Sequence, residues 1–407
     1  MAGGTPCSTM RTEMGELREA AVAGIAMTKQ GDLSDRSAAD VYWEVVKDAL
    51  DDAGLGLGDV DGLIGPAPEG VGLREALPGG GFADLVGHPL RFHASTSIGA
   101  SGQSAGIGLA ALAIAHGMAS VVVIPTVAAG SGGGYEGADR NDAVAMMARL
   151  GSPYEYLWGT TRVADYAVVA RRHMHEFGTT EEQLAEVAVA QRHGATLNPL
   201  SVNGVRGEIT IDDVMASRKI AEPLKLLDCC LVNQGAGCIV LMRAGDARAQ
   251  GRHDPVVVLG WGEGQSYLDP CSAPSLTGFE GGRLAADTAF GIAGVGRDEI
   301  DVAGISDHFT INVVVELENA GFCAPGEGGS FVQDQATRLG GRLPVNTDGG
   351  FLSNSHAGSC GLFTMIELVR QLRHEAGPRQ VEGATLAYAH GVGGVSQVQY
   401  GAVLARL

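Results

Sequence analysis

Two histidines stand where a proton could be moved beside a developing negative charge. His356 lies in NTDGGFLSNSHAGSCGLFTMIE, Asn346 to Glu367, between a glycine-rich turn and the start of an apolar helical stretch, and His390 opens the run HGVGG. Imidazole exchanges a proton near neutral pH. A helix N-terminus offers unpaired N–H groups and the positive end of a dipole, so a side chain held there could act as acid or base next to an anionic intermediate. His308 follows Asp307 and precedes another apolar helical run, and a capping or supporting role stands there beside a catalytic one. Ser306 reads equally as a turn residue. Ser97 and Ser101 could be nucleophiles only with a histidine in reach, and otherwise read as small residues that let helices pack closely. Cys360 comes four residues after His356 and reads as a small buried hydrophobe.

Other tempting spacings carry no chemistry. His173 and His175 are two apart on a predicted helix and so face different ways. Gly260, Gly262 and Gly264 follow a strand, but no helix and acidic ribose partner follow them in the dinucleotide pattern. The seven cysteines form an odd set without a CxxC pair, which argues against a disulfide framework and against a zinc site. No metal is expected. A formal charge of −19 disfavours non-specific nucleic-acid binding, and no apolar run approaches the ~20 residues of a membrane span. The N-terminus has no apolar signal-like core, so a cytoplasmic protein is expected.

The elements that must position these residues recur in order. Ala20 to Met27 reads as a buried strand, Ala38 to Ala53 as an amphipathic helix after a Ser37 cap, and Asp59 to Ile64 as a strand. Residues 66–92 show no clear period and read as a loop. A Gly/Ser turn then runs into a helix, Gly99 to Gly117, which is apolar on nearly every side and therefore central. The strand Ser120 to Thr126 follows. In the second half Pro255 to Gly260, Arg283 to Ala293, Arg297 to Ser306, Gly358 to His374 and Ala384 to Ala389 repeat this plan. The repetition implies an internally duplicated α/β chain, with halves at 1–250 and 251–407 and an inserted loop domain at about 130–235. Each βαβ-rich half is expected to form a mostly parallel sheet, with two equivalent helix N-termini converging on one cavity.

Five stretches carry a family likeness: SDHFTINVVVELENAGFC (Ser306 to Cys323), GGRLPVNTDGGFLSNSHAGSCG (Gly340 to Gly361), HGVGG, AEPLKLLDCC (Ala221 to Cys230) and GASGQSA (Gly99 to Ala105). In order and spacing they resemble the thiolase superfamily, and specifically its sterol-carrier-protein-x-type, lipid-transfer-protein-like branch, over nearly the whole chain. The resemblance implies a layered α/β/α/β/α thiolase-like fold. Thiolases use a nucleophilic cysteine in a CxSG-like motif, and Gly99, Ala100, Ser101 and Gly102 stand at that place. Ser306 takes the first position of the family's Asn-Glu-Ala-Phe or His-Asp-Cys-Phe motif, His356 matches the Gly-His-Pro histidine, and His390 replaces the cysteine of Cys-x-Gly-Gly.

Without a thiolate there is no obvious acyl-enzyme, whereas histidines beside converging helix N-termini suit aldol chemistry. Cysteine-less members of the branch resemble steroid side-chain aldolases, which carry tyrosines where this chain has Ser306 and His356. The expectation is therefore a carbon–carbon lyase acting on a β-hydroxyacyl-CoA. His356 and His390 form its acid/base pair, Ser306 and His308 lie beside them, and Gly99, Ala100, Ser101, Asn346 and Gly393 line the substrate and oxyanion site. A cysteine-independent acyltransferase and a non-catalytic acyl-CoA-binding subunit are the alternatives. The resemblance further implies a homodimer, a small partner built from a zinc ribbon and an OB-fold, and no cofactor beyond the CoA thioester itself.

Overall fold

Strand-length apolar runs and well-capped helices build the chain in a computed structural model that describes residues 16–66, 77–96, 98–129, 161–354, 356 and 360–407. The first half contains β1 (Ala20–Met27), α1 (Ala38–Ala53), β2 (Gly62–Ile64), α2 (Pro78–Val86), β3 (Phe92–Ala94), α3 (Gly102–Ala115) and β4 (Val121–Ala128). Next come α4 (Arg162–Phe177), α5 (Glu181–Thr196), α6 (Ile211–Ala216), a small hairpin of β5 (Lys219–Ala221) and β6 (Leu224–Lys225), then β7 (Gly235–Arg243) and α7 (Ala244–Gln250). The second half contains β8 (Val256–Gln265), α8 (Glu280–Ala293), β9 (Val302–Ile305), α9 (Thr310–Asn319), α10 (Gly328–Val332), α11 (Gly350–Ser353), α12 (Gly361–Leu372), β10 (Leu386–Gly393) and β11 (Val398–Arg406). The Ser37 hydroxyl accepts the Asp40 N–H at the start of α1, and Gly54 closes that helix with a φ of 71°.

The large sheet runs β3-β2-β4-β7-β1-β8-β11-β10-β9. Read outward from the β1/β8 seam, β1-β7-β4-β2 mirrors β8-β11-β10-β9, so the repeat seen along the chain is also a repeat in space. The sheet is mixed and not mostly parallel: β2 pairs in parallel with β3 and β4, and β9 with β10, whereas the pairs β4/β7, β7/β1, β1/β8, β8/β11 and β11/β10 are antiparallel. The reason lies in β7 and β11, which return beside β4 and β10. The β11 segment carries no strong signal of its own, and the insert displaces β7 far along the chain from β4.

Alternating side chains feed two cores. Val22, Val122, Ile124, Ile239, Leu241, Val258, Ala402 and Leu404 pack with α3 and α12, while Val123, Val240, Val257, Val403 and Tyr388 join the core that also holds α1, α8 and α9. Helices α3 and α12 are thus internal, between the two halves. This is the layered arrangement that the apolar circumference of α3 requires.

Three departures from the sequence reading have local causes. Residues 66–92 include α2, whose period is hidden by Gly79, Gly80 and Gly81 behind the N-terminal Pro78, and residues 67–76 lie outside the described residues. Strand β8 runs on to Gln265 through Gly260, Gly262 and Gly264, because these glycines seat α8: an added Cβ would lie 2.0, 2.4 and 2.0 Å from the carbonyl oxygens of Ala289, Ala285 and Gly281. Strand β10 extends past Ala389, which places His390 inside the sheet. No helix among the described residues is long and apolar enough to cross a membrane.

Candidate functional site

The turn Gly99–Ser101 delivers the chain into α3 against the end of β10. Gly99 has a φ of 65°, and a Cβ there would lie 3.0 Å from the Gly393 Cα; one on Gly393 would lie 2.1 Å from the Ile98 carbonyl oxygen. These glycines, with Ala100 between Gly99 and Ser101, allow two backbones to touch. Ser101 is fully buried and donates its hydroxyl to the Val392 carbonyl at 3.1 Å; Ser306 Oγ lies 3.5 Å away and accepts the Val392 N–H at 3.3 Å. Both serines are therefore fastened to β10. Gly361, the first residue of α12, meets the same place, since a Cβ on it would lie 3.1 Å from Ser101 Oγ. The N-termini of α3 and α12 accordingly come together. Ser97 lies outside the described residues.

The two imidazoles that meet are His356 and His308. Their ring centroids are 4.6 Å apart at 61°, with Phe351 edge-on to both. His308 sits one residue before Phe309, the N-cap of α9, and its carbonyl accepts the Cys230 N–H at 2.9 Å. Tyr166 of α4 lies nearly parallel to the His308 ring at 6.5 Å and donates its hydroxyl to the Gly394 carbonyl. His356 is half-buried and anchored by its own N–H to the Leu231 carbonyl at 2.7 Å. The stretch Cys229 to Leu231, near the end of the inserted segment, thus holds both histidine segments.

Burial governs their charge. Desolvation lowers the His356 pKa to about 4, against a smaller opposing pull from the ring's bond to its own backbone. His308 is driven well below the ordinary imidazole value by burial first and by the neighbouring His356 second. Both rings are neutral at pH 7. Cys360, fully buried at the start of α12, has its thiol pushed up by burial and then by Cys230 and Asp307. One nitrogen from each imidazole and the Cys360 sulfur lie within 4.8 Å of one another. This is a nitrogen/nitrogen/sulfur donor set able to hold a metal ion.

Asp307 is the residue to which sequence reasoning assigned no role. Its buried carboxylate accepts the N–H groups of Phe351 at 2.9 Å and Leu352 at 3.0 Å, which caps the short helix leading to His356. Desolvation raises its pKa to about 7, partly offset by these two bonds and reinforced by Asp348. A Cβ on Gly350, whose φ is 57°, would fall 2.3 Å from the Asp307 carboxylate, so the glycine-rich turn admits this carboxyl group. Asn346 is also buried, but its amide pairs in both directions with the Ile305 backbone, at 2.8 and 2.7 Å. It splices its loop onto β9.

His390 is directed elsewhere. Gly391 faces Ser101 and Tyr400, so the preceding residue must project from the opposite face of β10. There its Nδ1 is 2.7 Å from the Tyr388 hydroxyl, and its Nε2 is 3.1 Å from Glu316 and 2.7 Å from Gln399. The structure therefore pairs His356 with His308 and not with His390. His173 is likewise a buried structural residue, bonded to Thr179 and Glu318, while His175 is exposed.

This arrangement offers neutral imidazoles as proton acceptors and two helix N-termini for an oxyanion. Comparisons with known proteins place it among relatives. The family described as "Thiolase C-terminal domain-like" matches residues 262–406. The chain is 34% identical over 382 residues to an acetyl-CoA acetyltransferase of Methanothermobacter thermautotrophicus, covering 93% of this chain and 97% of that one. It is 33% identical over 361 residues to a steroid side-chain-cleaving aldolase of Thermomonospora curvata, covering 86% and 90%. A solved Ltp2-ChsH2(DUF35) aldolase superposes with a TM-score of 0.81 and 32% identity, over 95% of this chain and 98% of that one.

Proposed function

Because the chain belongs to the thiolase superfamily, in its sterol-carrier-protein-2-like branch, we propose that it is an acyl-CoA carbon–carbon lyase that cleaves a β-hydroxyacyl-CoA by a retro-aldol step. The observation that carries this reading is the pair of neutral imidazoles, His308 and His356, at 4.6 Å, beside a helix start whose serine is bonded to backbone. His356, the more exposed ring, takes the proton of the substrate hydroxyl. The C–O bond becomes a carbonyl as the Cα–Cβ bond breaks, and its electron pair passes to the thioester as an enolate. The N-termini of α3 and α12 stabilise the enolate oxygen. The proton held by the imidazole pair then returns to Cα, which releases a shortened acyl-CoA and an aldehyde or ketone.

Incubation with a β-hydroxyacyl-CoA should release both products, and His356→Ala and His308→Ala should each lower turnover by roughly 10²–10⁴-fold. Undiminished turnover in both variants would sink the assignment. His390, bonded to Tyr388, Glu316 and Gln399 behind β10, takes no proton in this scheme.

Likeness to an acetyl-CoA acetyltransferase, together with the position of Cys360 near both imidazoles, favours acyl transfer as a second reading. Its signature is an acyl adduct on Cys360 after incubation with an acyl-CoA, read by mass spectrometry. The similar solved aldolase is a complex with a DUF35 protein, which supports a small zinc-ribbon/OB-fold partner for this chain as well. Co-expression with such a protein followed by size-exclusion chromatography tests that assembly.

A further inference from the structure

We propose that His308, His356 and Cys360 bind one thiophilic divalent cation of the zinc class, a property that goes beyond the lyase reading and does not depend on it. The three donor atoms already lie within 4.8 Å of one another. Zn–N bonds of about 2.0–2.1 Å and Zn–S bonds of about 2.3 Å put tetrahedral donors roughly 3.3–3.6 Å apart, so binding requires a contraction of about 1 Å. His356 can supply it. It lies between α11 and α12, outside both helices, and among the described residues its backbone N–H bonds to the Leu231 carbonyl.

A second observation points to a ligand. His308 Nδ1 is buried and has no hydrogen-bond partner among the described residues, although the whole residue is only 7% exposed. A buried polar atom left in this state costs free energy that a bound cation would recover. The donors also select the ion. Two imidazoles and a sulfur, with no carboxylate among them, suit zinc or cobalt and not magnesium or calcium. Three protein ligands leave a fourth position for water or substrate. Binding converts the Cys360 thiol to a thiolate and releases its proton to solvent.

Cation and substrate proton would compete for the same imidazole lone pair. Chelator-treated full-length protein titrated with Co²⁺ should take up one ion per chain, with a thiolate-to-cobalt charge-transfer band that Zn²⁺ displaces. Cys360→Ser should remove that band and weaken binding by more than ~100-fold, since loss of supporting residues alone costs 10–100-fold. Cys271→Ser, at an exposed cysteine, should change neither. In the unmodified protein held in denaturant near its midpoint, where the buried Cys360 thiol becomes reachable, Zn²⁺ should protect Cys360 from alkylation, as read by peptide mass spectrometry, which holds the test open if a variant fails to fold. Absence of the band, its persistence in Cys360→Ser, its loss in Cys271→Ser, or equal alkylation with and without Zn²⁺ would each overturn the proposal. Any lyase activity should fall with added Zn²⁺ and return with chelator, but the cobalt band and the alkylation pattern decide the metal site whether or not the chain cleaves an acyl-CoA.

Discussion

An imidazole taken out of water keeps its lone pair and resists a second proton, and this sets the pH behaviour of His356. With a pKa of about 4 as its folded value, the acid limb of kcat/KM should fall near pH 4. A limb near pH 6.5 would show that another group acts as the base. Stability carries the same signature. The folded value lies below the ordinary one, so the unfolded chain binds more protons between pH 4 and 6.5, and the His356 contribution is lost as pH falls through that window. Asp307 runs the other way, because its folded carboxyl keeps a proton up to about pH 7 and its contribution is lost as pH rises toward that value. The two partly cancel in the intact protein, so the comparison must be made against a variant. Relative to His356→Ala, the protein should lose roughly 3 kcal/mol between pH 7 and pH 4. Denaturant melts at both pH values measure the gap, and an unchanged gap would contradict the low pKa.

At the scale of elements, the same residue type does opposite work in two places. Glycines 260, 262 and 264 look like part of a nucleotide fingerprint, yet they form a flat track on which α8 lies against β8. Gly260→Ala would drive a methyl group to 2.0 Å from the Ala289 carbonyl oxygen, and overpacking of this kind typically costs about 1–3 kcal/mol. A lowered denaturation midpoint with the slope unchanged is the expected result. Gly350 instead admits the Asp307 carboxylate beneath the start of α11, which then leads to His356. Asp307→Ala should leave the Phe351 and Leu352 N–H groups without their buried acceptor, at about 1–3 kcal/mol each at most, and should slow turnover by displacing His356. A variant that loses stability but keeps full turnover would show that the cap does not position the histidine.

At the scale of the molecule, the candidate site belongs to neither half alone. Gly99 and Ser101 come from the first half, and Ser306, His308, His356 and Cys360 from the second, while Tyr166 and Cys230 arrive from the segment inserted in the first half. The halves are joined further by Asp52 of α1, which accepts from Arg373 at 2.8 Å and meets His253 at 3.0 Å. On the family resemblance we propose that the chain pairs with a second copy. Light scattering should therefore give about twice the chain mass of 41.8 kDa, and a strictly monomeric protein at micromolar concentration would refute this.

The duplicated order of strands and helices was legible in the amino-acid sequence because local signals carry it: period, caps and Gly/Ser turns all act within a few residues. The same holds for Ser37 and Gly54 at the ends of α1, and for the apolar circumference that makes α3 internal. Pairing direction was not legible, because β7 meets β4 and β1, and β11 meets β8, only after long connections, while the hairpin that joins β10 to β11 lies beyond Ala389, where the strand pattern ends. The candidate site was half legible. His356 stands out in its turn, but its partner depends on which face of a strand each residue takes, and a strand that runs four residues past the end of its pattern carries His390 into the sheet and toward Glu316. Only the tertiary structure brings His308 to His356, since that contact joins segments that no local spacing relates, whereas Cys360 follows His356 by four residues in the sequence.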